Sequence, residues 1–419
     1  MRCDRPGSLL RCSIRAIGAV VVVLAVAACS TLIRNPIPLD RNVDATIAGY
    51  SEIRYFPLTE PNRIRQAIRQ AYYSESPECY ETAPDGSRIY NYLAISGGGS
   101  DGAFGTGIIN GWTEHGDRPR FKVVTGVSTG ALIAPFAFLG SGYDAPIKEA
   151  YTTVNPDRIY LLRRLIAILW AEAVADNRPL KELVRTYITP AVVEAVAAEH
   201  AKGRRLYVAS TSMDREEPVI WDLGQISSSK DPAKVDLFRS VLVASSAIPV
   251  VFPPSLITVN LDGKTYDEMH SDGGVFFQSF FIGSVMNLRK LIADAHPDFT
   301  GQSVQRLYVI RNGSTTPNRK VVNRGLGSIA SRAIATLLKV SGINDLWRLY
   351  LATQHNNIEF RYVSLPADYV RSTEEEFNEA EMNRQYDLGY EMGKTGIPWM
   401  TLPPGFHLQA EDELVQVTN

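Results

Sequence analysis

Cysteine is scarce, and its scarcity limits how this chain can be held together. Four cysteines occur in 419 residues, at Cys3, Cys12, Cys29 and Cys79. Three of them lie in or directly after an N-terminal leader, and if Cys29 becomes a modified first residue the remaining body keeps one thiol, Cys79, and no internal disulfide framework. Stability must come from a core, for which the body is long enough. Net charge is also nearly absent: 43 Lys and Arg against 45 Asp and Glu leave −2. Removing Arg2, Arg5, Arg11, Arg15 and Asp4 with the leader gives 39 against 44, or −5. That mild acidity argues against nucleic acid as a partner and against electrostatic docking on anionic lipid. Metal-ligand spacings are missing too. There is no HExxH, no pair of CxxC motifs and no EF-hand loop, so no metal and no cofactor is expected. No repeat at a solenoid or propeller period occurs.

What is present begins with the leader. Four arginines precede "AIGAVVVVLAVAA", thirteen residues without charge, too few to span a bilayer, which takes about 20. A basic start, a short apolar stretch and small residues at its end describe a secretory signal, residues 1–28, which stands outside the fold. It ends "VAACS". Small residues before a cysteine resemble the lipobox of bacterial lipoproteins, which implies cleavage before Cys29, lipidation of Cys29 and a membrane-anchored protein of the bacterial envelope. Ser30 points to the outer rather than the inner membrane. A plain signal peptide with an incidental cysteine, or an uncleaved anchor, is the alternative. Residues 29–52, with Pro36 and Pro38, read as a tether, and 53–88 as an N-terminal extension.

From Ile89 the pattern becomes α/β. "IYNYLAIS" runs into the glycine loop "SGGGSDG" and a helix-like segment; "FKVVTG" follows as a second strand with "TGALIAPFAFLG" as the helix behind it. Further strands are expected at 204–211, 218–224, 305–313 and 358–365. The apolar stretch 159–175 reads as a helix packed on the sheet, or alternatively as a lipid-facing lid. Ser372 and Glu375 have capping-box spacing for a C-terminal helix. No segment reads as a β-barrel.

The stretch "VVTGVSTGAL", Val123 to Leu132, contains Gly-x-Ser-x-Gly. By composition alone that pattern recurs in roughly one chain of this length in seven, and "GGSDG" around Ser100 also fits it. Context separates them. Ser128 directly follows a strand and opens a helix, with Gly126 and Gly130 on either side, which is the setting that exposes a nucleophilic hydroxyl. The helix also turns its positive end to the site. Ser100 lies three glycines past its strand, in a loop. That loop carries Gly97, Gly99 and Gly102 at dinucleotide-binding spacing, but the acidic residue such a site needs at the end of the next strand is missing: Asp117 lies in the loop before that strand. Backbone N–H groups of the loop can instead converge on an anion.

A base is needed as well. Downstream histidines are His200, His270, His296, His355 and His407, of which only His270 has an informative context, "YDEMHSDGGVFF". There Asp272 precedes Gly273 and Gly274, a turn that can hold a carboxylate close to another loop.

"SGGGSDGAFGTG", "GVSTG" and "SDGG", in that order, resemble the patatin-like phospholipases, as does "FRSVLVASSAIPVVFPP" between the last two. The resemblance spans Ile89 to Arg311, the expected catalytic domain, with 312–419 adding C-terminal strands and peripheral helices to the same body. It implies an α/β fold of three layers, with a central, mostly parallel sheet flanked by helices. It also implies a Ser128–Asp272 dyad without histidine, an oxyanion hole built by Gly97, Gly98, Gly99 and Gly102, and hydrolysis of a carboxylic ester in a phospholipid or lysophospholipid. The substrate would be the lipid ester and the membrane contact the N-terminal anchor, with the oligomeric state open. One departure stands out: a basic residue is common in that loop, where this chain has Asp101, whose charge would oppose a developing oxyanion unless it turns toward solvent or an arginine. A Ser-His-Asp esterase and a non-catalytic envelope binding module are the competing readings.

Overall fold

The computed structural model describes residues 34–406 apart from 39, 42–43 and 164–170. The leader, Cys29 and His407 lie outside the described residues. Eight strands exceed two residues: β1 Arg88–Ile95, β2 Val123–Val127, β3 Arg205–Ser212, β4 Glu217–Asp222, β5 Ser255–Leu261, β6 Lys264–Asp272, β7 Ser303–Ser314 and β8 Glu359–Leu365. Among the described residues the helices of eight residues or more are α1 Pro61–Tyr73, α2 Gly102–His115, α3 Thr129–Leu139, α4 Asp144–Thr152, α5 Arg178–Tyr187, α6 Pro190–Ala201, α7 Lys234–Ser245, α8 Leu288–Ala295, α9 Leu326–Asn356 and α10 Glu379–Thr395.

The strands run in the order β4-β3-β2-β1-β7-β8, parallel from β3 to β8, with β4 antiparallel to β3 and the two-residue strand Arg54–Tyr55 paired along its outer edge. This is the mixed, mostly parallel sheet that the sequence implies, flanked by helices on both faces. Because both faces are covered, its central strands read as near-continuous apolar runs rather than alternating ones; "VVTGV" in β2 is buried throughout. One face packs against α2, α3, α6 and α7 through Phe104, Ile133, Val193 and Phe238. The other packs against α1, α8 and the C-terminal half of α9 through Ile68, Leu291 and Leu349. Each such buried side chain contributes about 1.5–3 kcal/mol. Cys79 is buried and unpaired.

Two local expectations need correction. Within 159–175, Leu161–Leu162 and Ala175–Asp176 form a small antiparallel ribbon instead of helix ends; residues 164–170 lie outside the description. The C-terminal helix starts at Glu379, not at Ser372. Asn378 caps it, accepting from the Glu381 N–H, while the Ser372 N–H and hydroxyl are taken by the Glu381 carboxylate. The capping residue is thus the one that meets a free helix N–H, and Ser372 is pulled back across the loop that precedes it.

Candidate active site

Ser128 sits between β2 and α3 with φ 53° and ψ −125°, a backbone region that side chains enter at a cost of about 1–3 kcal/mol. The flanking glycines make the turn possible. A Cβ on Gly126 would lie 2.3 Å from the Gly130 carbonyl oxygen, and one on Gly130 would lie 2.3 Å from that of Ile95. Ser245, at the end of α7, fixes the turn: its hydroxyl accepts from the Ser128 N–H at 3.0 Å and donates to the Ala209 carbonyl at 2.6 Å. The segment around Ser245 is therefore the elbow's support.

Register brings the aspartate. β2 pairs with β3 up to Val127 opposite Ala209, and there the chain turns away into the elbow. β6 continues along the same edge of β3, antiparallel, and ends with Asp272 opposite Ser210. The two strands meet end to end, and Ser128 Oγ donates to Asp272 Oδ2 at 2.6 Å. The other carboxylate oxygen accepts from the Gly274 N–H at 2.7 Å, which is what the Asp-Gly-Gly turn supplies. Asp272 is only 4% exposed. Burial pushes its pKa up to about 7, although the hydrogen bonds from Ser128 and Gly274 pull the other way.

No histidine among the described residues contacts either side chain. His270 is buried against Ser210 and Glu268, His200 faces Gln225 and His296 faces Glu75.

The glycine loop lies beside the serine: a Cβ on Gly97 would be 3.3 Å from the Ser128 Cβ. Its N–H groups are not equally free. Gly97 donates to the Gln278 carbonyl at 3.0 Å and Gly102 to Gly99 and Ser100, which narrows the expected four to Gly98 and Gly99. Gly102 instead makes room, since a Cβ there would strike the Thr129 hydroxyl.

Residues that the sequence reading passed over hold this loop. Arg311, buried in β7, donates to the Gly97 carbonyl at 2.9 Å and to Ser96 Oγ at 3.1 Å. Asn312 Nδ2 donates to the Ser96 carbonyl at 2.7 Å. In a trans peptide the carbonyl and the next N–H point in opposite directions, so a pinned Gly97 carbonyl also aims the Gly98 N–H. Gln278 ties the loop to the aspartate turn, because its Nε2 donates to the Gly274 carbonyl at 3.0 Å. Asp101 turns to α10: Gln385 Nε2 donates to it at 2.7 Å, and Arg371 lies 3.7 Å away. α2 and α10 come close enough for this through facing glycines, Gly107 and Gly111 against Gly389 and Gly393. Ser100, the competing serine, is spent between Glu376 and Arg371.

Beside Ser128 opens a pocket of about 770 Å³, its mouth included, walled by Leu132, Phe136, Val184, Ile188, Ile248 and Phe252 among other apolar side chains. Its lining suits a flexible apolar ligand. No cluster of metal-ligating side chains is present among the described residues.

The architecture and the site together define an α/β protein with a serine elbow at the C-terminal end of a parallel sheet, facing an apolar pocket. Residues 93–282 match the family model for patatin-like phospholipase, so that part of the chain carries a patatin-like domain, a domain type of lipid acyl hydrolases. Among solved structures it is similar to VipD from Legionella pneumophila, with 12% identity and a TM-score of 0.36, over 75% of this chain and 69% of that one. No curated protein matches the chain.

Proposed function

We propose that the protein cleaves carboxylic esters of lipids, in a phospholipid or lysophospholipid, with Ser128 as nucleophile and Asp272 as its base. The observation that carries this reading is the 2.6 Å hydrogen bond from Ser128 Oγ to a buried carboxylate at the edge of an apolar pocket. The acyl chain lies in the pocket. Ser128 Oγ attacks the ester carbonyl as its proton passes to Asp272, and the N–H groups of Gly98, Gly99 and Thr129 receive the oxyanion. Collapse expels the alcohol, which takes the proton from Asp272. Water, deprotonated by the same carboxylate, then releases the fatty acid from the serine. A base whose pKa lies at about 7 is matched to this double duty, because it both takes and returns a proton near neutrality. Lipidation at Cys29 would hold the enzyme at the membrane of a bacterial envelope, close to such substrates.

The test is mass spectrometry after exposure to a fluorophosphonate. The expected adduct is on Ser128, lost in Ser128→Ala, nearly lost in Asp272→Asn and kept in Ser100→Ala. A folded protein that takes no adduct at any serine refutes the reading in favour of a binding module.

A further inference from the structure

Helix α9 is 31 residues long, yet its buried positions begin only at Gly342. The sixteen residues before that stand off the body, about 24 Å of helix at 1.5 Å per residue. Leu326, Ile329, Ile334, Leu337 and Val340 are 46–87% exposed there. At about 100° per residue these five fall on one arc of roughly 140°. Arg332 and Lys339 take the opposite flank and fold back onto the preceding segment, Arg332 donating to the Asn318 carbonyl and Lys339 to that of Thr316 at 2.7 Å. From Thr315 to Asn344 there are five basic residues and no acidic one. Only Lys320 among the three outside the helix meets a carboxylate, that of Glu374; Arg319 and Arg324 meet none among the described residues. The chain's overall −2 therefore conceals a local +5 next to an uncovered aliphatic stripe.

The free half of α9 is continuous with the site. At its root Gly342 lies against the Arg311 guanidinium, which holds the Gly97 carbonyl. One turn further, Asp345 accepts from the Gln278 and Ser279 N–H groups. Phe377, three residues past Glu374, lines the pocket.

We propose that residues 319–341 dock the protein on an anionic lipid surface, the aliphatic stripe entering the headgroup boundary and Arg319 and Arg324 pairing with phosphates. An apolar stripe on a free helix, with cationic charge in the segment that leads into it, is what interfacial binding requires. α9 is long and apolar enough to cross a membrane by composition, but its rooted C-terminal half leaves only those sixteen residues free, below the roughly 20 that spanning takes. Docking there would set the pocket beside the bilayer, a consequence that rests on the lipid-ester reading of the site.

The experiment follows amide hydrogen exchange of 326–341 in the full-length protein, with vesicles of phosphatidylcholine alone or with about 30% phosphatidylglycerol. Exchange is expected to slow about tenfold or more on the anionic vesicles, less on the neutral ones, and to recover with added salt. Leu326→Glu/Ile329→Glu/Leu337→Glu should lose that protection while still hydrolysing a water-soluble short-chain ester. Because exchange is read at the helix itself, an N-terminal anchor does not mimic the result. Exchange unchanged by vesicles overturns the proposal. So does protection that appears without vesicles as protein concentration rises, which would assign the face to a second copy. Failure of wild type on the soluble ester would overturn the enzymatic reading and leave the docking result standing.

Discussion

Asp272→Asn separates what the carboxylate does for catalysis from what it does to stability. Its pKa lies at about 7 instead of 3.8 because the group is buried, so ionising it costs the folded state about 4 kcal/mol at 1.36 kcal/mol per unit. A raised folded-state value means that the native protein holds a proton the unfolded chain has released. Stability from this group is therefore full below about pH 4 and lost as pH rises through about 7. Relative to acid, the loss is about 1.7 kcal/mol at pH 5 and about 4 kcal/mol at pH 8. Asparagine carries no charge at either pH and can still accept from the Gly274 N–H. The gain in unfolding free energy of Asp272→Asn over wild type should thus be about 2.5 kcal/mol larger at pH 8 than at pH 5, measured by urea denaturation. Taking the difference at each pH cancels every other titrating group and any fixed packing cost of the amide. Reaction with fluorophosphonate should meanwhile fall about 10²- to 10⁴-fold, as expected for a lost general base. A stability difference that is flat between the two pH values would refute the reasoning, because it would mean that Asp272 titrates as an ordinary carboxyl.

Other parts of the site make separate predictions. Arg311→Met should lower kcat on a soluble ester about tenfold or more with KM within about twofold, and Arg311→Lys should restore part of it; equal loss in both kcat and KM would reduce Arg311 to a packing residue. Ser128→Gly and Ser128→Ala should both abolish labelling, with the glycine variant more stable by about 1 kcal/mol in urea, since only glycine is relieved of the elbow's backbone conformation. Leu183→Trp, on the pocket wall, should cut turnover of long-chain esters about tenfold while leaving short-chain esters within about threefold; an equal effect on both would remove the acyl chain from this pocket.

How much of this was readable from residues follows from how local each feature is. The elbow is a local object, strand, Gly-Ser-Gly and helix within ten residues, and Ser128 was legible with its flanking glycines. Asp272 was legible only as part of an ordered set of motifs, because its meeting with Ser128 depends on β6 continuing the edge that β2 leaves, a long-range register. The β5–β6 hairpin itself went unread. Yet Asp262-Gly263 between its strands, with φ 50° and 76°, is the dipeptide that a tight hairpin selects. At its described ends the 159–175 stretch is ribbon and not helix, because a short apolar run suits a strand and a helix alike. Arg311 gave no signal at all: nothing in "VIRNGS" tells which residue of a strand will face a loop more than two hundred positions earlier.

That last case also answers the objection raised by Asp101. In isolation, a carboxylate in an oxyanion loop reads as a defect. Burial raises its pKa, and Arg371 and Arg311 act against that rise. The Arg311 guanidinium feels the charges of both Asp101 and Asp345, while its Nη1 reaches the Gly97 carbonyl. The negative charge is thus answered behind the loop by two guanidiniums. Of these, Arg311 is bonded directly to the peptide whose N–H faces away from it. The cation missing from the loop's own sequence is supplied from β7. For the proposed oxyanion role, a buried guanidinium with several donors in one plane fixes the direction of the loop's peptides better than a flexible side chain in the loop would.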